Sequence, residues 1–558
     1  MRRFTIILLI LAVLASWGCS RQEPVIESTA LVLTGASIPE GFAAPGASAV
    51  AVIDGRIAYV GSDQDAREQA GPGAEVIDLA GATLIPGFID SHCHLYGLGT
   101  ALAQIDLVGT ATVDEALERI AAADAAAPGS DWLLGRGWDQ NDWPVQEYPT
   151  REQLDPVTGD RPALLRRIDG HAAWANSAAL LAAGITAETP DPEGGSILRG
   201  PDGEPTGVLI DNAVDLVSEV VPPASAAEKR RRIDLAVAEC LKYGLTGVHE
   251  AGVDLELAGI YRAMADAGEL PLRIYAMYDD KPEVLAHAAA EGPYFHPGGM
   301  LTIRAVKLYA DGALGSRGAL LLDDYTDAPG TRGLAVTPRN HLLEVCRDLG
   351  GLGFQICTHA IGDGGNRLVL DVYAEILGDL GGDDRRWRVE HAQILAVDDI
   401  PRFGNLGVIA AMQPTHCTSD MDWADERLGN ERLRGAYAWR SLLDAGAHLC
   451  LGTDFPIEAV DPLWGLYAAR TRTHHDGTPP GGWMPQEKLD AATALELYTA
   501  GSAFAGFAED RLGRIEPGYL ADFTVLDGDP VAAEPAVLLS MGTVLTVVDG
   551  KIAYRRSH

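Results

Sequence analysis

The chain has 558 residues, 47% of them apolar, which is too long for one ordinary domain and enough for a large core with attachments. Its 43 Lys and Arg against 79 Asp and Glu give a net charge of −36. That balance argues against a nucleic-acid partner, since phosphate recognition needs a basic face, and it implies a well-solvated surface.

Arg2 and Arg3 precede an apolar run over residues 6–15, which ends in Ser16-Trp17-Gly18-Cys19-Ser20. A charged start, a short apolar run and small residues at a cleavage point read as a secretory signal over residues 1–19, and the run is too short to span a bilayer. Gly18-Cys19 resembles a bacterial lipobox, although Ser16 stands where Leu is usual. Export to the periplasm is therefore expected, with a lipid on Cys19 as the only link to a membrane.

Residues 30–78 read as short strands, with a hairpin signal in ASAVAVIDGRIAYVG that turns at Asp54-Gly55. The far end repeats the signal in VLTVVDGKIAYRR, turning at Asp549-Gly550. Two matching hairpins at opposite ends predict a small composite β-sandwich from residues 28–82 and 506–558, with the middle of the chain inserted into it. In that middle, strands are expected at 83–90, 247–250, 273–278, 303–309, 355–359, 387–391, 408–413 and 448–454. Ala- and Leu-rich amphipathic segments follow most of them, as at 227–241, 339–349 and 366–377. This alternation predicts an α/β fold, a (β/α)₈ TIM-type barrel over residues 83–113 and 223–505. Residues 114–222 fit no single βα unit, and their Trp-rich loop and Gly-rich turns read as an inserted subdomain after strand 1 that helps to cover the active site. The seven cysteines form no CxxC pair, which argues against a thiolate zinc site; they read as small core residues, some of which an exported protein could pair.

The strongest chemical signal is LIPGFIDSHCHLYGLG, where an apolar strand runs into Asp90-Ser91-His92-Cys93-His94. Residues two apart in an extended chain point the same way, so His92 and His94 can face one metal, and imidazole suits Zn, Fe and Ni. Lys307, His359, His391 and Asp454 each follow an apolar run and precede a polar or Gly-rich loop. Such strand ends are where barrel enzymes place catalytic groups. Any one of these residues alone could be a packed core residue; together, in this order, they point to chemistry. Lys307 has a structural reading too, as an ion pair with Asp311, which would leave a single metal. Weaker candidates for substrate binding are His416 and Asp420 in QPTHCTSD, His171 and Trp138 from the insert, and His249 as a pocket wall. Helix packing or a core position is the competing reading for each.

The order His-x-His, Lys, His, His, Asp resembles the amidohydrolase superfamily. The stretches PGFIDSHCH, VKLYADGALGSRGA, THAIGDGGN, RVEHAQ, QPTHCTSDMDWADERLG and GTDFPIE extend the likeness to its family 3 branch, the YtcJ-like group that includes N-substituted formamide deformylases. The resemblance implies His92, His94 and Asp454 on a first metal and His359 and His391 on a second, with Lys307, carboxylated on its amine, bridging the two. A carbamate of this kind requires a depressed lysine pKa. It further implies one or two divalent ions, zinc by default, that activate a water, and Asp454 as the shuttle of its proton. The expected function is hydrolysis of a non-peptide carbon–nitrogen bond in a small-molecule amide or formamide. Ester or lactone hydrolysis on the same barrel and a non-catalytic ligand-binding lipoprotein are the alternatives, and a homodimer is compatible with either.

Overall fold

The computed structural model describes residues 30–126, 132–381 and 384–557, so the export signal expected over residues 1–19, with Cys19, lies outside the described residues. Eight strands form its centre: β1 (Phe88–Cys93), β2 (Leu245–Val253), β3 (Arg273–Tyr278), β4 (Leu301–Tyr309), β5 (Gln355–Ala360), β6 (Arg388–His391), β7 (Ile409–Met412) and β8 (His448–Leu451). They are hydrogen-bonded side by side in sequence order, every neighbouring pair parallel. β3 is buried along its whole length, as a parallel strand covered on both faces must be. β8 returns to β1 through its loop: Asp454 N–H donates to His92 O at 2.8 Å. Thr453 gives the Asp90 carboxylate its N–H at 3.1 Å and its hydroxyl at 2.7 Å. The barrel is thus nearly closed, and its seam passes between His92 and Asp454.

Helices cover the outside of the barrel. Ala226–Lys242 shows why they form: Ser225 accepts from Glu228 N–H as N-cap, and Ile233, Ala236, Val237, Cys240 and Leu241 recur at helical spacing on the buried face. The α/β barrel follows the expectation from sequence. One expected strand does not. Residues 83–90 are two strands, of which Thr83–Pro86 pairs antiparallel with Phe523–Leu526 outside the barrel. Gly87 separates them, packed so tightly that a Cβ there would sit 2.2 Å from Thr246 Oγ1. Both pieces are fully buried, so the apolar run carries no sign of the break.

Two four-stranded sheets come from the ends of the chain. One runs Arg56–Gly61, Ala49–Ile53, Ala30–Thr34, Glu75–Asp78; the other runs Lys551–Arg555, Thr543–Val548, Phe523–Leu526, Thr83–Pro86. Leu33, Val50 and Val52 of the first share a core with Leu84, Phe523, Val525 and Val547 of the second. Both hairpins turn with the positive φ that Asp-Gly supplies: 50° and 75° at Asp54 and Gly55, 53° and 72° at Asp549 and Gly550.

A six-stranded sheet lies between β1 and β2, in the order Gly195–Arg199, Pro205–Asp211, Ala172–Ala175, Ala163–Arg167, Leu133–Trp138, Ile105–Asp106. It draws in Ile105–Asp106, upstream of residue 114, because a two-residue strand leaves no periodicity to read. The six described cysteines are buried and unpaired.

Candidate metal centre

The six residues expected at strand ends meet at the C-terminal mouth of the barrel. One ligand atom each from His92, His391 and Asp454 lie within 4.8 Å of one another, and all three residues are buried. His94 Nε2 is 3.3 Å from Asp454 Oδ1, and His92 Nε2 is 3.6 Å from the same oxygen. Lys307 Nζ lies 3.2 Å from His92 Nε2. The ring of His391 is 4.7 Å from that of His92 and 4.6 Å from that of His359, centre to centre.

The hydrogen bonds around these rings decide where their lone pairs point. His92 Nδ1 faces the Glu390 carboxylate, His94 Nδ1 the carbonyl of Ala251 at 3.0 Å, and His391 Nδ1 the amide oxygen of Gln413 at 2.9 Å. Each partner only accepts, so each Nδ1 carries the hydrogen and each Nε2 keeps a bare lone pair. Asp454 Oδ1, buried beside two of them, has no hydrogen-bond partner among the described residues. Bare imidazole nitrogens and an orphaned carboxylate oxygen repel one another unless a cation lies between them. Nitrogen and oxygen donors of this kind fit a divalent metal.

The charge states agree. Burial lowers His92 to about 4 and His359 to about 3, with Lys307 adding to both shifts, so both rings are neutral at pH 7. Burial pushes the Asp454 carboxyl up, but contacts from His416 and His94 and the charge of His92 outweigh it and hold the group well below the usual carboxylate range. Lys307 is lowered by burial. It has no carboxylate within ion-pair reach among the described residues, and the alternative pairing with Asp311 does not occur. The Asp311 carboxylate is instead occupied by the backbone N–H groups of Leu320, Ile361 and Gly362 at 2.8–2.9 Å.

A family model described as the amidohydrolase family matches residues 75–554. The chain belongs to the amidohydrolase family. YtcJ of Bacillus subtilis (strain 168), an amidohydrolase by name, is 39% identical over 523 residues, 91% of this chain and 96% of its own. The N-substituted formamide deformylase of Arthrobacter pascens is 31% identical over 92% of this chain and 95% of its own. The crystal structure of an uncharacterized metal-dependent hydrolase from Pyrococcus furiosus superposes with a TM-score of 0.74 at 31% identity, covering 90% of this chain and all of that one. The protein is thus a hydrolase of a metal-dependent family.

Not every candidate of this amidohydrolase reaches the centre. His416 does: its Nε2 lies 3.2 Å from Asp454 Oδ2 and its Nδ1 3.2 Å from Glu458 Oε1. Asp420 is tied to the Tyr437 hydroxyl instead. Trp138, which could be a substrate wall or part of the insert's core, is the latter: it is fully buried against Trp143 and Trp174, its indole N–H donating to Leu165 O at 2.7 Å. His171 is 76% exposed and pairs with Asp211. His249 does line a cavity, but a small one of about 50 Å³ at the other end of the barrel, with Arg273, Thr302 and Gly506. It lies in the middle of β2 rather than at its end, which an apolar run of unknown start cannot reveal.

Three residues went unread in the sequence. Glu390 and Arg388 flank Val389 in RVEH and face the barrel interior beside His92. Tyr309 ends β4, two residues after Lys307, and so faces the same way. Its ring is 5.1 Å from Lys307 Nζ and 5.7 Å from the His359 ring. Burial raises its phenol to about 12, and its hydroxyl has no hydrogen-bond partner among the described residues, which leaves a neutral donor at the mouth of the site. If that hydroxyl holds the substrate, Tyr309→Phe lowers kcat/KM by about 10–100-fold, the worth of one hydrogen bond to a charged or developing anionic oxygen. Metal content should not change. Unchanged steady-state kinetics would remove Tyr309 from the substrate's contacts.

Proposed function

We propose that this amidohydrolase cleaves a non-peptide carbon–nitrogen bond in a small amide or formamide. The observation that carries the reading is the orphaned Asp454 Oδ1 among bare imidazole nitrogens. The 31% identity to the deformylase along nearly the whole chain supports the choice of bond. His92, His94 and Asp454 would hold one ion and His359 and His391 a second, with a carboxylated Lys307 between them; zinc is the proposed metal. When bound, the metal supplies Lewis-acid activation of a water and of the scissile carbonyl.

The chain's own groups do the rest. Asp454 accepts the proton released as water attacks the carbonyl carbon, then delivers it to the nitrogen as the carbon–nitrogen bond breaks. Asp454 Oδ2, the oxygen turned away from the His92 and His94 rings, lies 3.2 Å from His416 Nε2, which would orient it for that exchange. The neutral rings of His92 and His359 keep their lone pairs for ligation throughout the neutral range.

Metal analysis of the chain lacking residues 1–19, with matched amide, formamide and ester substrates, tests this. Two ions per chain, falling in Lys307→Ala, and turnover of amides over esters are expected. One ion unaffected by Lys307→Ala would make Lys307 structural, preference for esters would move the reading to ester or lactone hydrolysis, and a metal-replete chain that binds no ion would sink it. We further propose export through residues 1–19 with a lipid on Cys19. In a bacterial host a palmitate analogue should then label the wild type and not Cys19→Ser; an unlabelled, membrane-free wild type rejects the anchor.

A further inference from the structure

Below the six candidate ligands, the barrel interior holds an ion pair that the reaction itself does not use. Arg388 and Glu390 stand two residues apart on β6 and face inward, and neither side chain is exposed. Arg388 Nε comes within 2.7 Å of Glu390 Oε1 as an ion-pair contact, and its Nη2 donates to Glu390 Oε2 at 2.9 Å. Nη2 also donates to Ser91 O on β1, and Nη1 donates to His249 Nδ1 on β2 at 2.9 Å. One guanidinium thus ties together β1, β2 and β6. Glu390 Oε2 in turn faces His92 Nδ1.

These contacts leave little freedom of assignment. A guanidinium can only donate, so Glu390 is the acceptor and His92 Nδ1 must donate to it. The lone pair of His92 Nε2 is thereby aimed at the cluster. His92 differs here from its neighbours. His94 and His391 rest on neutral oxygens, of Ala251 and Gln413, whereas His92 rests on a carboxylate. An anionic partner on Nδ1 makes Nε2 the stronger donor to a cation and fixes the ring's orientation.

We propose that Arg388 and Glu390 form a positioning pair that presents His92 to the metal and thereby sets metal affinity. The inference rests on the metal reading above, and the test separates the two. Metal dissociation constants are measured by competition with a chromophoric chelator, beside the melting temperature of the metal-free protein, for wild type, Glu390→Gln and the double variant Arg388→Met/Glu390→Met. Glu390→Gln keeps the shape and removes the charge, but it strands a buried guanidinium and can cost the fold. The double variant removes both charges, a replacement that buried ion pairs often tolerate. The expected result is a folded variant whose metal affinity is weaker by about 10–100-fold, the usual cost of losing a partner of a ligating histidine. Folded variants that bind within twofold of wild type would overturn the inference and leave the metal reading intact. Failure of both variants to fold would overturn it too, by making the pair a purely structural brace. A wild type that binds no metal removes the reading on which it stands.

Discussion

Asp454→Asn should leave the amidohydrolase folded and lower kcat by about 10³–10⁴-fold, at the upper end of what a positioned acid–base group contributes. The amide matches the carboxylate in shape and keeps one oxygen for His416, which lies 3.2 Å from Asp454 Oδ2. Asn is also the right replacement for the backbone, because residue 454 has φ 61°, a left-handed conformation that Asn tolerates better than most residues. What the substitution removes is the negative charge and, on the proposed mechanism, the site for the water's proton. Two measurements tell these apart. Metal analysis reports the charge, since a cluster of neutral imidazoles with no carboxylate binds a cation less tightly. Single-turnover kinetics under saturating metal report the proton. A variant that turns over at more than a tenth of the wild-type rate with its metal retained would show that Asp454 is not the shuttle.

The strand ends were legible because the chemistry imposes itself on the pattern. His92, Lys307, His359, His391 and Asp454 each interrupt an apolar run, and polar residues at those positions have few other reasons to be there. The barrel was legible for the same reason, as β3 shows, its expected and observed limits being the same. Failures came where burial removes the contrast. Thr83–Pro86 and β1 are both fully buried, so the change of sheet at Gly87 left no trace. Glu390 and Arg388 were hidden differently: charged residues beside a candidate ligand read as part of a polar strand end, and only the fold shows them turned inward. Trp138 stayed open between two readings because an aromatic in a Trp-rich stretch suits a pocket wall and a small core equally well. Here the insert has a sheet of its own to cover.

The closing seam of the barrel makes the second large prediction. Gly452 follows β8, where the chain passes β1 beside the candidate metal site. A Cβ at this position would lie 2.5 Å from Asp90 Oδ1, 2.6 Å from His92 N and 3.1 Å from His92 O. None of these atoms can retreat cheaply. Two are backbone of the strand that carries His92, and Asp90 Oδ1 accepts from His92 N and Thr453 N. Gly452→Ala is therefore expected to destabilise the protein by about 3 kcal/mol, the upper range for overpacking a filled core. It should also lower metal affinity, since the strand that must move carries His92. The control is the same chemical change where space is free. Gly378 lies within the helix Asp363–Leu380 with nothing within 4 Å of a built Cβ. There Gly→Ala should stabilise by about 0.5–1 kcal/mol through helix propensity alone. Thermal melts of both variants, with and without added metal, check the pair. Gly452→Ala should lose melting temperature in both conditions and gain less from metal than wild type does, while Gly378→Ala should keep the full metal response. If Gly452→Ala melts like wild type, the seam is looser than the contacts around Asp90 imply, and the close approach of β8 to β1 is not what holds His92 and Asp454 together.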